Sequence, residues 1–171
     1  GQATDVSLDE EGWRDNKHPF TFTALPDAPT LELTIKSYFN TGGDGVTERL
    51  YGYRPGQSLI VRDVWGTITY KGPGVFIAGG AGVTPFIAIL RDLQQRRQLE
   101  GHTLVVSNKT EADNILRDEF EGFGGLTTIW TVTSDPQSSL LHERINGSFL
   151  TTHIRDFAQN FYLCGPDDMV K

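Results

Sequence analysis

The residues best suited to chemistry sit in one run, Val75-Phe-Ile-Ala-Gly-Gly-Ala-Gly-Val-Thr-Pro-Phe86. A short β-branched and aromatic stretch, Val75 to Ala78, runs into glycines, and an amphipathic helix pattern starts at Thr84-Pro85. A strand feeding a glycine turn and then a helix N-terminus can cradle a pyrophosphate. The first backbone N–H groups of a helix lack internal partners, and the helix dipole favours an anion there. Glycines let such a ligand reach the backbone with no side chain between. Thr84 is placed to cap the helix through its side-chain oxygen, and Pro85 suits the first helical position. The loop reads Gly80-x-Gly82-x-x-Pro85, with proline where the ordinary dinucleotide fingerprint has its third glycine. The following strand, Thr103 to Ser107, ends in Ser107-Asn108-Lys109, with no acidic residue for an adenosine ribose. Taken alone, the turn fits nucleotide binding or tight packing of a helix on a strand.

The elements that must hold this loop divide into two styles. Residues 1 to about 72 read as strands: Thr21-Phe22-Thr23, Leu31 to Tyr38, Ser58 to Val61 and Gly66 to Tyr70. They are broken by Pro26-Asp-Ala-Pro29, Thr41-Gly-Gly-Asp-Gly45 and Arg54-Pro-Gly56. That spacing predicts a small antiparallel barrel or sandwich. Gly72-Pro73-Gly74 marks the boundary, and from Val75 strands and helices alternate, which predicts a parallel sheet. The helix after the glycine loop puts Phe86, Ile89, Leu90 and Leu93 on one side. The expected order continues with helix Asp113–Glu121, strand Thr128–Val132, helix Ser148–Ala158 carrying Leu150, Ile154 and Phe157 at helical spacing, and strand Asn160–Cys164. Every strand of this half leads into small or polar residues, where an open parallel sheet has its ligand crevice. Ser134-Asp-Pro-Gln-Ser-Ser139 reads as a loop, either a flap over that crevice or plain surface.

With 171 residues the chain can bury a real core, and 37% hydrophobic with 22% charged residues is a soluble balance. A net charge of −7 argues against nucleic acid as a partner. No apolar run is long enough to span a membrane and no secretory leader opens the chain, so a cytoplasmic protein is expected. Cys164 is the single cysteine, which excludes an internal disulfide and an iron–sulfur cluster. His18, His102, His142 and His153 show no metal-ligand spacing, and no metal is expected.

A β-rich first half, then Gly-Gly-Ala-Gly-Val-Thr-Pro, then Tyr162-Leu-Cys-Gly-Pro166-x-x-Met169, resembles the ferredoxin–NADP reductase superfamily, more narrowly its flavodoxin-reductase-like, FAD-binding members. The resemblance implies a flavin-binding β-barrel followed by an NAD(P)-binding α/β domain, over residues 1–72 and 73–171. The chain opens at Gly1-Gln-Ala-Thr4, which is similar to the middle of the family's barrel, and stops at Met169-Val-Lys171, where the family continues. Both domains are therefore expected to be incomplete, the first at its N-terminus and the second at its C-terminus, as a fragment or a degenerate relative.

By the same likeness, His18-Pro19-Phe20-Thr21 stands at the flavin motif. Phe20 would lie against the ring system and Thr21 would hydrogen-bond the hydride-accepting nitrogen. His18 stands where the family has a phosphate-gripping arginine, with Lys17 beside it as a point charge. Asp44-Gly45-Val46-Thr47 resembles the turn that receives flavin pyrophosphate, with Lys36 adding charge nearby or standing as a solvated surface lysine. Gly79, Gly80, Ala81, Gly82, Val83, Thr84 and Pro85 match the nicotinamide-dinucleotide loop. Cys164, Gly165 and Pro166 match the segment beside the nicotinamide, and Asn108 and Lys109 would lie near the adenosine. Thr21 and Cys164 are the catalytic candidates, the thiol packing against the ring and not acting as a nucleophile.

The implied activity is hydride transfer from NAD(P)H to FAD or FMN. Electrons would then pass to flavodoxin, ferredoxin, an oxygenase component, free flavin or quinone. Two alternatives remain: a non-catalytic redox adaptor of the same fold, and an electron-transfer subunit that needs a partner chain.

Overall fold

Burial is deepest along β4 (Gly74–Gly79), where all six residues are shielded from solvent. Such a strand must lie inside a sheet covered on both faces, which is why it reads as a continuous apolar run and not as an alternation. The computed structural model describes residues 1–39, 45–66 and 68–170. The chain folds as two compact units, Gly1–Thr69 and Tyr70–Lys171.

In the first unit, β1 (Gln2–Leu8) is the middle strand of an antiparallel sheet, with β2 (His18–Thr21) on one side and β3 (Leu59–Gly66) on the other. No apolar alternation marks β1 in the sequence, because Thr4, Asp5 and Ser7 interrupt its apolar residues. The structure buries Thr4 and Ser7 by bonding them. Thr4 Oγ1 donates to the Arg62 carbonyl at 2.8 Å, Ser7 Oγ donates to the Arg14 carbonyl at 2.7 Å, and Arg62 Nη1 donates to Ser7 Oγ at 2.8 Å. Partnered in this way, the hydroxyls escape the desolvation penalty of unpaired polar groups.

The expected strand Leu31–Tyr38 is absent; the segment makes one isolated bridge, Leu33 to Phe22, beside the Thr23 N–H bond to the Glu32 carbonyl at 2.9 Å. Gly66–Tyr70 is not a strand of its own either. Gly66 ends β3, residues 68–70 have no regular structure, and Thr67 lies outside the described residues. Helix α1 (Val46–Tyr51) is held against the 9–14 loop. Arg49 Nε donates to Glu10 Oε2 at 2.8 Å while its guanidinium lies 4.8 Å from the centre of the Trp13 ring, and Tyr53 OH donates to Glu10 Oε1 at 2.9 Å. The bonds from Arg49 and Tyr53 hold the Glu10 carboxyl below the usual range, and desolvation, then the Glu10 bond, pushes the Tyr53 phenol up to about 12.

The second unit is a four-stranded parallel sheet. After β4 come a 3-10 turn (Gly80–Val83), α2 (Thr84–Gln95), β5 (His102–Asn108), a 3-10 turn (Glu111–Asp113), α3 (Arg117–Glu121), β6 (Leu126–Val132), α4 (Gly147–His153), β7 (Asn160–Cys164) and α5 (Asp167–Val170). The strand order is β6-β5-β4-β7. One face packs Val75, Ile77 and Val105 against Phe149 and Ile154. On the other, the Phe76 ring stacks on Tyr162 at 4.5 Å and meets Phe86 edge-on at 5.2 Å. Helix α2 buries Phe86, Ile87, Leu90 and Leu93, each worth about 2 kcal/mol of apolar burial. Ile87, and not the expected Ile89, takes the fourth buried place. The unit begins at Tyr70 because its ring stacks on His102 and Tyr162, at 5.8 and 6.0 Å.

Two expected helices are shorter than their apolar spacing implied. The 113–121 pattern is split by Leu116, whose φ of 53° lies in the left-handed region, so only Arg117–Glu121 is α-helical. The 148–158 pattern stops at Ile154, which is extended; Ile154 stays in the core, while Phe157 is exposed and stacks on Phe161. Strand Asn160–Cys164 has the expected bounds.

Candidate functional site

Parallel pairing of β4 with β7 sets Ala78 opposite Cys164, so the glycine turn and the Cys164-Gly165-Pro166 turn leave the sheet side by side. On the other flank, Gly79 pairs with Ser107 of β5, which brings Asn108 to the same rim. Three segments far apart in sequence thus share one carboxyl-end edge of the sheet, the place where such sheets hold ligands.

The glycines here do different work. A methyl group at Gly82 would overlap the Cys164 carbonyl, with its carbon at 2.6 Å and Gly165 Cα at 2.9 Å. Gly82 therefore admits the backbone of the neighbouring turn. Gly79 and Gly165 face Met169, whose sulfur would lie 2.9 Å from a methyl at Gly79. Gly80 is the open one. Its φ is +55°, and among the described residues a methyl there would find only Asn108 Oδ1 within 4 Å, at 3.9 Å. The loop packs tightly at Gly82 and leaves its backbone open at Gly80, at the rim.

Thr84 does not cap α2 in the expected way. Its Oγ1 donates to the Ala81 carbonyl at 3.0 Å, and the N-cap is Val83, without a side-chain cap bond. The 3-10 turn runs directly into the helix, so residue 84 already has helical backbone and faces a carbonyl instead of free N–H groups. Pro85 does sit in the first turn. Val83 is fully buried, Ala81 is half-buried and Pro166 is exposed.

Cys164 is half-buried, and burial pushes its thiol up. A raised folded value favours the neutral thiol. Its contribution to stability is therefore complete below the ordinary thiol range and is lost as pH rises through the folded value. Iodoacetamide at pH 8 is expected to label Cys164 at least about tenfold more slowly than a free cysteine, with the rate rising towards pH 10; a rate equal to that of free cysteine would contradict the burial.

Beyond β5 the Asn108 side chain is buried, and its Nδ2 donates to Asn114 Oδ1 at 2.8 Å. Lys109 is exposed, and its carbonyl accepts the Ser134 N–H at 2.8 Å. Asn114 was not singled out from the sequence, where an asparagine in a mixed polar segment carries no signal. It borders a cleft of about 380 Å3 with Glu111, Leu116, Arg117, Asp118 and Glu119. Its Nδ2 is buried, with no partner among the described residues.

The Ser134–Ser139 loop is tied down. Asp135 Oδ2 accepts the Glu111 N–H at 2.9 Å, and Ser138 Oγ donates to Glu111 Oε2 at 2.6 Å. The Ser138 bond, then Arg117, holds the Glu111 carboxyl below its usual range.

In the first unit, His18, Pro19, Phe20 and Thr21 are β2 itself, with Thr21 opposite Ala3 and the His18 and Phe20 rings 6.3 Å apart. His18 and Pro19 are exposed, Phe20 is half-buried and Thr21 is buried. Gly45 caps α1 with extended backbone, Val46 is buried, and the Thr47 carbonyl accepts Ser37 Oγ at 3.0 Å; Asp44 lies outside the described residues. Lys36 Nζ lies 5.9 Å from the Tyr38 ring centre. No metal-holding group of histidine, cysteine and acidic side chains occurs among the described residues, and no described helix is long and apolar enough to cross a membrane.

Residues 76–171 match the family model described as the oxidoreductase NAD-binding domain. NADH-cytochrome b5 reductase 2 of Mycosarcoma maydis is 29% identical over 126 residues, covering 70% of this chain and 35% of that protein. The chain thus spans about a third of the length of that relative. Among solved structures, the CS-b5R domains of human Ncb5or in the NAD+ form superpose with a TM-score of 0.81 at 21% identity, over 98% of this chain and 54% of that one. The ferredoxin NADP+ reductase from Neisseria gonorrhoeae with bound FAD and NADP gives 0.74 at 18%, over 99% and 74%. At these identities the structural likeness speaks for the fold.

Proposed function

The chain belongs to the oxidoreductase NAD-binding domain family, within the ferredoxin–NADP reductase superfamily, and from that premise we propose that it is a flavin-dependent NAD(P)H oxidoreductase. The observation that carries this reading is the rim where Gly80 lies open beside Asn108, while Gly82 locks the glycine turn to Cys164 and Gly165. A relative named for NADH and a structural neighbour holding FAD and NADP support the same cofactors here.

On this reading residues 73–171 hold the dinucleotide and residues 1–72 hold flavin. A flavin bound there would supply the redox chemistry, hydride acceptance from the reduced nicotinamide and electron release to an acceptor. The residues of the chain bind, orient and exclude water. Gly79 to Pro85 present backbone to the pyrophosphate, and Asn108 with Lys109 meets the adenosine side. The Cys164 thiol, kept neutral by burial, bounds the nicotinamide as a small polarizable wall. Thr21 orients the flavin through a hydrogen bond, Phe20 packs on its ring, and His18, Lys36 and the Gly45–Thr47 turn meet its phosphates. The acceptor is a heme, iron–sulfur or flavodoxin-type electron carrier, and the single thiol supports a cytoplasmic setting.

The test is a visible spectrum of the purified intact protein. Flavin bands that bleach within seconds of adding NADH or NADPH are expected. A colourless protein that takes up neither FAD nor FMN would overturn the proposal in favour of a redox adaptor. Bleaching only in the presence of an added partner protein would indicate a relay subunit.

A further inference from the structure

Met169 is the single methionine of the chain, and its side chain fills the joint between the turns that leave β4 and β7. A methyl at Gly79 would meet the Met169 sulfur at 2.9 Å and its terminal carbon at 3.1 Å, and a methyl at Gly165 would overlap that same carbon. The thioether therefore occupies the room that two glycines leave by having no side chain. Met169 also packs against the cluster of Val75, Ile77 and Phe149, and it stays partly exposed. The first turn of α5 fixes its backbone, where the Met169 N–H donates to the Pro166 carbonyl at 2.9 Å. We infer that Met169 is an oxidation site for hydrogen peroxide, and that its sulfoxide loosens the Cys164-Gly165-Pro166 turn from the glycine turn.

The step balances with no group of the protein as catalyst. A sulfur lone pair attacks one peroxide oxygen, and the S–O bond forms as the O–O bond breaks. The proton of the transferred oxygen passes to the departing hydroxide, which leaves as water. Sulfur loses two electrons and the peroxide gains them. The thioether reacts in its one form, whereas a thiol reacts as the thiolate, and burial holds the neighbouring Cys164 thiol neutral. Oxidation turns a flexible apolar side chain into a polar one that carries an extra atom. Facing inwards, that oxygen presses on the backbone of Gly79 and Gly165, beside the paired Ala78 and Cys164. Facing outwards, it draws the side chain out of the joint and leaves the space unfilled. In both cases the turn against which Gly82 packs loses its support.

The test is mass spectrometry with thiol labelling on the intact protein, in which one methionine and one cysteine make every adduct assignable. Hydrogen peroxide, at a dose that oxidises free methionine, is expected to add a single oxygen at Met169 and none at Cys164. The oxidised protein should then react with iodoacetamide at Cys164 about fivefold faster than the untreated protein, and methionine sulfoxide reductase should restore the slow rate. Met169→Leu keeps the volume without the sulfur, so peroxide should leave its labelling rate unchanged. Failure of Met169 to take up oxygen at that dose, or a sulfoxide protein that labels and melts like the untreated one, would overturn the inference. So would an equal peroxide response from Met169→Leu, because the sensitive group would then lie elsewhere. Neither measurement requires a bound cofactor, so a negative outcome leaves the oxidoreductase reading intact.

Discussion

Replacing Gly82 by alanine is expected to lower the melting temperature of the protein by about 10 °C and to abolish nucleotide binding. The added methyl would overlap the Cys164 carbonyl and press on Gly165 Cα, and every atom it meets is backbone. Flexible side chains can yield to such an intrusion, but a paired strand end cannot, because Cys164 is held in register with Ala78. Relief requires the two turns to move apart, at a cost of about 3 kcal/mol. The same separation opens the rim and displaces Gly80 from Asn108. Gly147→Ala is the matched control: a methyl there meets nothing within 4 Å among the described residues and the backbone needs no positive φ, so stability should hold or rise slightly. Calorimetry with an ADP-ribose titration reads both consequences. A Gly82→Ala protein that melts and binds like the unaltered one would show that the turns are not locked together.

Phe76→Ala is expected to be the most damaging single truncation in the second unit, costing about 4 kcal/mol. The Phe76 ring is fully buried on the central strand, stacked on Tyr162 at 4.5 Å and against Phe86 at 5.2 Å, with His102 at 6.0 Å. Its partners come from β7, α2 and β5, so collapse of the cavity would require three elements to shift together, and the void remains largely unfilled. Native proteins of this size have about 5–15 kcal/mol in hand, and the loss takes a large share of it. Phe161→Ala gives the comparison, since that ring is 39% exposed and its removal should cost under about 1 kcal/mol. Urea titration followed by circular dichroism separates the two. Equal midpoints would mean that Phe76 is not the keystone of this core.

Strand β4, the glycine turn, the first turn of α2 and the bounds of β7 could be read from residue order. Each signal there lies between near neighbours: β-branched residues before glycine, proline at the start of a helix, an apolar run before Cys-Gly-Pro. The patterns at 113–121 and 148–158 misled because periodicity records which side chains face the core. It does not record where the backbone leaves the helix, and Leu116 and Ile154 remain partly or fully buried after it has done so. β1 was hidden for the converse reason, since its buried Thr4 and Ser7 look like surface residues until Arg62 and the Arg14 carbonyl arrive from elsewhere in the chain.

The sequence by itself determined that a glycine turn joins a buried strand to a helix, and that a second small-residue turn follows the last strand. Only the tertiary structure decided how the labour divides among those glycines, with Gly82 closed by Cys164, Gly80 left open and Asn108 oriented by Asn114. The reason is physical. A glycine's conformational freedom is a property of the residue, but what fills the space beside it depends on the strand register that brings distant segments to the same edge of the sheet.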